Sequence, residues 1–153
     1  MNFEEKIGYS FRDKVLRERA LTRKAFSKEK KDHGETVEDQ EIYRTLGDAV
    51  LKAVLVDYLI QGGTRTRAEI TTSKIELERK SALAKIARKL DIAQDIRMNN
   101  GEQKLKAEEQ PYVLAETLEA ILGAIYLDGG YCSAMDSVRR WYGPEVFSLL
   151  KKS

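Results

Sequence analysis

Residues 113–130 read VLAETLEAILGAIYLDGG. Apolar residues dominate the run, yet it carries two glutamates, Glu116 and Glu119, three positions apart and therefore on one stripe of a helix. Pro111 stands just ahead, where a proline fits the first turn of a helix, and the pair Gly129–Gly130 supplies a stop. A helix this apolar belongs in a core. A carboxylate there is costly unless it is paired, coordinates a metal or faces a cleft. Residues 40–51, QEIYRTLGDAVL, pose the same problem. They open a largely apolar helix expected over 38–60 and ended by Gly62 and Gly63, with Glu41, Arg44 and Asp48 spaced i, i+3 and i+7 along one stripe.

Two such helices packed with these stripes facing gather Asp48, Glu116 and Glu119 about one point. Oxygen-only ligands of that kind suit Mg²⁺ or Mn²⁺, ions that activate water and steady the charge of a phosphoryl transition state. Spacing alone leaves a second reading open, in which Arg44 neutralises the acids within a buried ion-pair network.

The remainder of the chain reads as helical. Its 153 residues argue for one domain over 1–153, and a hydrophobic content of 42% allows a real core. Apolar residues at helical spacing mark a short helix with a turn in 12–26. A loop is expected over 29–40. Thr64 or Thr66 caps a helix containing RAEITTSKIELERK (67–80), and Ser81 precedes LAKIARKLDI (83–92), whose Leu83, Ile86, Ala87 and Leu90 share a face. The polar stretch 97–110 reads as a loop. A helix over 132–143 and a tail helix over 144–153 complete an all-α helical bundle built around the two apolar helices.

Charge and cysteine content narrow the function classes. Lys and Arg total 27 against 25 acids, so the net charge is only +2 and any basic surface must come from segregation. No run approaches a membrane span, and MNFEEKIGYSFRDK lacks the pattern of a signal peptide. Cys132 is the one cysteine, which rules out a disulfide framework or a Cys-rich zinc site and is expected to be a partly buried thiol. A cytoplasmic protein is the simplest expectation.

These residues resemble the ribonuclease III endonuclease domain. QEIYRTLGDAVL at 40–51 is similar to the family's NERLEFLGDAVL, and 115–130 nearly reproduces ADALEALIGAIYLDGG. GYSFRDKVLRERALTRKAF at 8–26 and LAKIARKLDI at 83–92 match two further family stretches, in the same order. The resemblance implies an all-α domain that pairs as a homodimer. It implies a valley for double-stranded or structured RNA, and cleavage of the phosphodiester by four acids and a divalent metal, Mg²⁺ or Mn²⁺, leaving 5′-phosphate and 3′-hydroxyl ends. By position, the catalytic and metal-binding acids are Asp48, Glu119 and Glu116, the last replacing an aspartate. The fourth family acid falls on Arg44, a charge reversal. Arg44 either pairs with Asp48 and fills the ion's place, or turns back to Glu41, and Glu41 or a water then replaces the lost metal ligand. Thr45 stands where the family carries a phenylalanine that helps join the dimer. The implied activity is thus an endoribonuclease. The alternative is a non-catalytic module of the same fold that binds RNA or protein, with Arg44 in the metal site. No appended RNA-binding domain fits after residue 130, so weak, salt-sensitive RNA binding is expected.

Among the remaining residues, Arg65, Arg67, Lys74, Arg79 and Lys80 cluster along one helical segment, as phosphate contacts or as a solvated face. His33 reads as a solvated loop residue. Arg23 stands where the family carries a histidine, so no histidine supports acid–base work. Trp141 and Tyr142 read as core.

Overall fold

The computed structural model describes residues 1–150, with side chains through 147. The chain order is α1 (Phe3–Ile7), α2 (Lys14–Ala20), α3 (Lys24–Asp32), α4 (Glu41–Gln61), α5 (Arg67–Glu78), α6 (Lys80–Leu90), α7 (Asn100–Lys104), α8 (Pro111–Tyr142) and α9 (Pro144–Leu150). Among the described residues there is no β-sheet; a single parallel bridge joins Thr22 to Arg97. The fold is the expected all-α bundle around two apolar helices, and the last three residues of the expected tail helix lie outside the described residues.

Helices α4 and α8 form the centre. Val54, Leu55 and Leu59 of α4 and Leu114, Ile121, Leu122 and Ile125 of α8 are buried among the largest side chains of the core. Where the two helices cross, Gly47 meets Gly123. A β-carbon at Gly47 would collide with the Glu119 carbonyl, and one at Gly123 with the Tyr43 carbonyl. The crossing is therefore backbone against backbone. This explains why an acid follows a glycine in LGDAVL: Gly47 brings α4 onto α8, and Asp48, one residue on, arrives beside Glu119.

Helix α6 lays Leu83, Ala84 and Ala87 on α8. Trp141, also buried, donates its indole N–H to the Ile7 carbonyl at 2.9 Å and ties α1 to the far end of α8. Tyr142 is partly buried, and its hydroxyl donates to the Leu77 carbonyl at 2.6 Å.

Several boundaries differ from the sequence reading. Helix α3 runs to Asp32, so only residues 33–40 remain as the loop. His33 caps its C-terminus, exposed, with a ring nitrogen 2.8 Å from the Glu29 carbonyl. Thr66, not Thr64, caps α5 by accepting from the Glu69 amide at 3.2 Å. Ser81 lies inside α6, whose start is set by extended backbone at Arg79. The segment 97–110 contains α7, capped by Asn99, and a 3₁₀ turn over Ala107–Glu109. The glycine pair kinks α8 without ending it: Gly130 alone leaves helical geometry, at φ 82°, and the helix resumes. Cys132 is exposed, contrary to the partly buried thiol expected: it lies two residues past that kink, in the wall of an open cavity shared with Tyr58, Gly62 and Met135.

Candidate metal and nuclease site

Asp48 and Glu119 meet at the rim of an open cavity of about 400 Å³, lined also by Glu41, Arg44, Thr45 and Lys80. The Asp48 side chain is 48% exposed, so the acid at the edge of the core faces a cleft. Glu119 lies deeper. Burial, a shared hydrogen bond with Asp48 and the Asp48 charge push its carboxyl up to about 7, against the pull of Arg44 and Lys52. Burial also raises Asp48, but hydrogen bonds from Lys52 and Glu119 and the charges of Lys52 and Lys74 outweigh it and hold Asp48 below the usual carboxylate range. The pair thus titrates as a unit, with Glu119 pushed up and Asp48 held down, so that its second charge is completed only near neutral pH.

Glu116 does not join them. Its Oε2 accepts from Arg23 Nη1 at 2.8 Å and its Oε1 lies 3.3 Å from Arg44 Nη2. Arg23 also reaches Glu102 and Gln40, each at 3.3 Å. Arg23, Glu102 and Glu116 are all at least four-fifths buried, so this is a desolvated network spanning α3, α4, α7 and α8. Of the two courses open to Arg44, the guanidinium takes the second: it turns back to Glu41 at 2.7 Å, and on to Glu116 rather than to Asp48. The cation that pairs with Asp48 is Lys52, one turn along α4, at 2.7 Å. Sequence reasoning missed both Lys52 and Arg23. The i, i+4 spacing of Asp48 and Lys52 was a readable signal, whereas the pairing of Arg23 with Glu116 across 93 residues had none.

Among the described residues no three His, Cys, Asp or Glu side chains converge as a metal cage. The donor set still fits a hard cation. Two carboxylates press together at the edge of a roomy cavity, one of them holding a proton it would give up to a cation. Mg²⁺ is commonly bound by one or two carboxylates with water and substrate phosphate completing the shell. Glu41 is committed to Arg44 and Glu116 to two guanidiniums, so Asp48 and Glu119 are the donors that face the cavity free of Arg44.

The basic residues divide. Arg65 and Arg67 are exposed at the start of α5. Lys74 is spent on Glu78 at 3.1 Å and Arg79 on Glu76. Lys80 lines the cavity. Thr45 is exposed on α4 beside the exposed Ile42.

Comparison with known proteins places this all-α fold, with its two acid-bearing central helices, in a family. A Ribonuclease-III-like family model matches residues 13–146. Ribonuclease 3 of Bdellovibrio bacteriovorus is 32% identical over 144 residues, covering 94% of this chain and 60% of that protein. Ribonuclease 3 of Pseudomonas fluorescens is 35% identical over 147 residues, covering 95% and 60%. The solved nuclease domain of ribonuclease III from Campylobacter jejuni superposes with a TM-score of 0.82 at 31% identity, over 91% of this chain and 92% of that one. The chain belongs to the ribonuclease III family. It spans about 60% of the length of the curated relatives it matches. Among the described residues no helix is long and apolar enough to cross a membrane.

Proposed function

We propose that this domain is an endoribonuclease that cleaves double-stranded or structured RNA, with a Mg²⁺ or Mn²⁺ ion held by Asp48 and Glu119 and with 5′-phosphate and 3′-hydroxyl products. The observation that carries this reading is the contact of those two carboxylates at the cavity rim, with Arg44 turned away from them. When bound, the ion would polarise a water and offset charge on the phosphoryl group. The chain's own residues do the rest. Asp48 is ionised at neutral pH and anchors the site. Glu119 releases its proton near pH 7 and completes the pair. Lys80 at the cavity and exposed Arg65 and Arg67 offer phosphate contacts that read A-form RNA by shape. Glu116 acts as the anchor of Arg23 and Arg44 rather than as a ligand.

The working form is proposed to be a cytoplasmic homodimer. The Campylobacter domain is described as having a region involved in dimer formation, and Ile42 and Tyr112 leave apolar surface exposed near the starts of α4 and α8. The exposed free thiol of Cys132 suits a reducing compartment.

One observation favours a second reading, a duplex-binding module that does not cut: Glu116 is neutralised by two guanidiniums. Purified protein is incubated with a long RNA duplex and Mn²⁺, beside an Asp48→Asn control. Cleavage lost in the control is the expected result; duplex binding with no cleavage by either protein establishes the second reading. Arg44→Glu is expected to increase cleavage by returning an acid to the rim.

A further inference from the structure

Lys52 stands between two acids and is fully bonded to only one. Its ammonium is 2.7 Å from Asp48 Oδ1 and 3.5 Å from Glu78 Oε2. The second is an ion pair at the long limit of a hydrogen bond, and Glu78 Oε2 is buried with no hydrogen bond of good geometry. The other oxygen, Oε1, is already satisfied by Lys74. A buried carboxylate oxygen without a donor is an unfilled place for one. The charged groups facing Lys52 are therefore Asp48 on its own helix and Glu78 on α5, with Glu119 of α8 close enough to feel its charge.

We propose that Lys52 is a resident counter-ion of the Asp48–Glu119 pair that gives way to a divalent cation by moving onto Glu78 Oε2. The inference rests on the reading that Asp48 and Glu119 hold the metal. Without a divalent ion, Lys52 offsets the negative charge at the rim. With one, ammonium and metal repel across a few ångströms, and the waiting oxygen of Glu78 receives the lysine, so neither charge is left unpaired. Lys52 is thus a positioning residue that sets the affinity of the site for metal.

The test is a double-mutant cycle on Mn²⁺ affinity, read by calorimetry or by the paramagnetic signal of free Mn²⁺ at fixed pH, with no RNA present. Asp48→Asn is the control for the site. Lys52→Met, or Lys52→Gln where the methionine variant does not fold, is expected to tighten Mn²⁺ binding roughly tenfold, because the competitor is gone. Glu78→Gln is expected to weaken binding several-fold on its own and to have little effect in combination with Lys52→Met, because its role is to receive the lysine. Unchanged affinity in Lys52→Met overturns the inference. So does a Glu78→Gln effect of the same size with and without Lys52, which would mark a static field. Both outcomes leave the metal site standing, provided binding is lost in Asp48→Asn. Absence of Mn²⁺ binding in both the unaltered protein and Lys52→Met overturns the site and the inference together.

Discussion

Arg44 and Glu116 are joined across the crossing of the two central helices, Nη2 to Oε1 at 3.3 Å, and Arg23 closes on the other oxygen of the same carboxylate. A side chain that the family resemblance places among the metal ligands is here the middle of a cation–anion–cation sandwich. Its two flanking charges come from distant parts of the chain, Arg23 lying 93 residues away and Arg44 on the other central helix.

This sandwich is the part of the site most sensitive to losing one member. Arg23→Met strips Glu116 and Glu102 of a shared partner while leaving both largely buried. It is expected to destabilise the domain by about 2–4 kcal/mol in chemical denaturation. The combined Arg23→Met, Glu102→Leu variant should recover much of that loss, because Glu102 is the carboxylate left without a cation, whereas Glu116 keeps Arg44.

Stability should depend on pH through the acid pair, in two separate windows. Glu119 has its folded pKa raised to about 7 from the ordinary glutamate value of 4.5, so its contribution is fully present below the unfolded value and is lost as pH rises toward 7. Asp48 is shifted the other way, and its contribution is lost only as pH falls below the ordinary aspartate value of 3.8 and through the lowered folded one. In the presence of a chelator, melting temperature is expected to decline between those Glu119 values. The Glu119→Gln variant should lack that slope while keeping the acid-side one.

The glycine crossing is expected to tolerate nothing larger. Gly47→Ala sets a methyl group against main chain rather than against a side-chain end that could swing aside. A loss of about 1–3 kcal/mol or more is expected from this overpacking. Asp48 and Glu119 should move apart as the helices separate, which an altered Glu119 titration, followed by carboxyl NMR, would report.

Duplex binding should separate exposed from committed cations. Arg65→Ala and Arg67→Ala are each expected to reduce the slope of log affinity against log salt by about 1, measured by fluorescence anisotropy. Lys74→Ala should leave the slope nearly unchanged, since its ammonium is held by Glu78. Slopes unchanged from the unaltered protein in all three would mean that neither α5 nor the turn before it is on the RNA.

The central architecture was legible because it is written in periodicity. The apolar runs around LGDAVL and LEAILGAIYL admit little but buried helices, and the acids inside them point to a cleft. The partners were less legible. Whether Arg44 would face Asp48 or Glu41 depends on which cation reaches Asp48 first, and Lys52 does so within the same helix. The position of Glu116 depends on Arg23, which only the tertiary fold brings near. Short helices such as α7 escaped because a polar surface turn and a polar loop share a composition; Asn99, accepting from the Glu102 amide, was the local mark. Gly129–Gly130 suggested a terminus, but one residue with positive φ is enough to bend a helix and let it continue.

Helix α5 has no fully buried residue. Its hold on the body depends on partly sheltered Leu77, the Tyr142 hydroxyl and the ion pair of Glu78 with Lys52 of α4. An element fastened so lightly is the first to detach in local unfolding. Its amides should exchange with solvent well before those of α4 and α8, and a protease that cuts at arginine should find Arg65 and Arg67 while the central pair of helices is still intact.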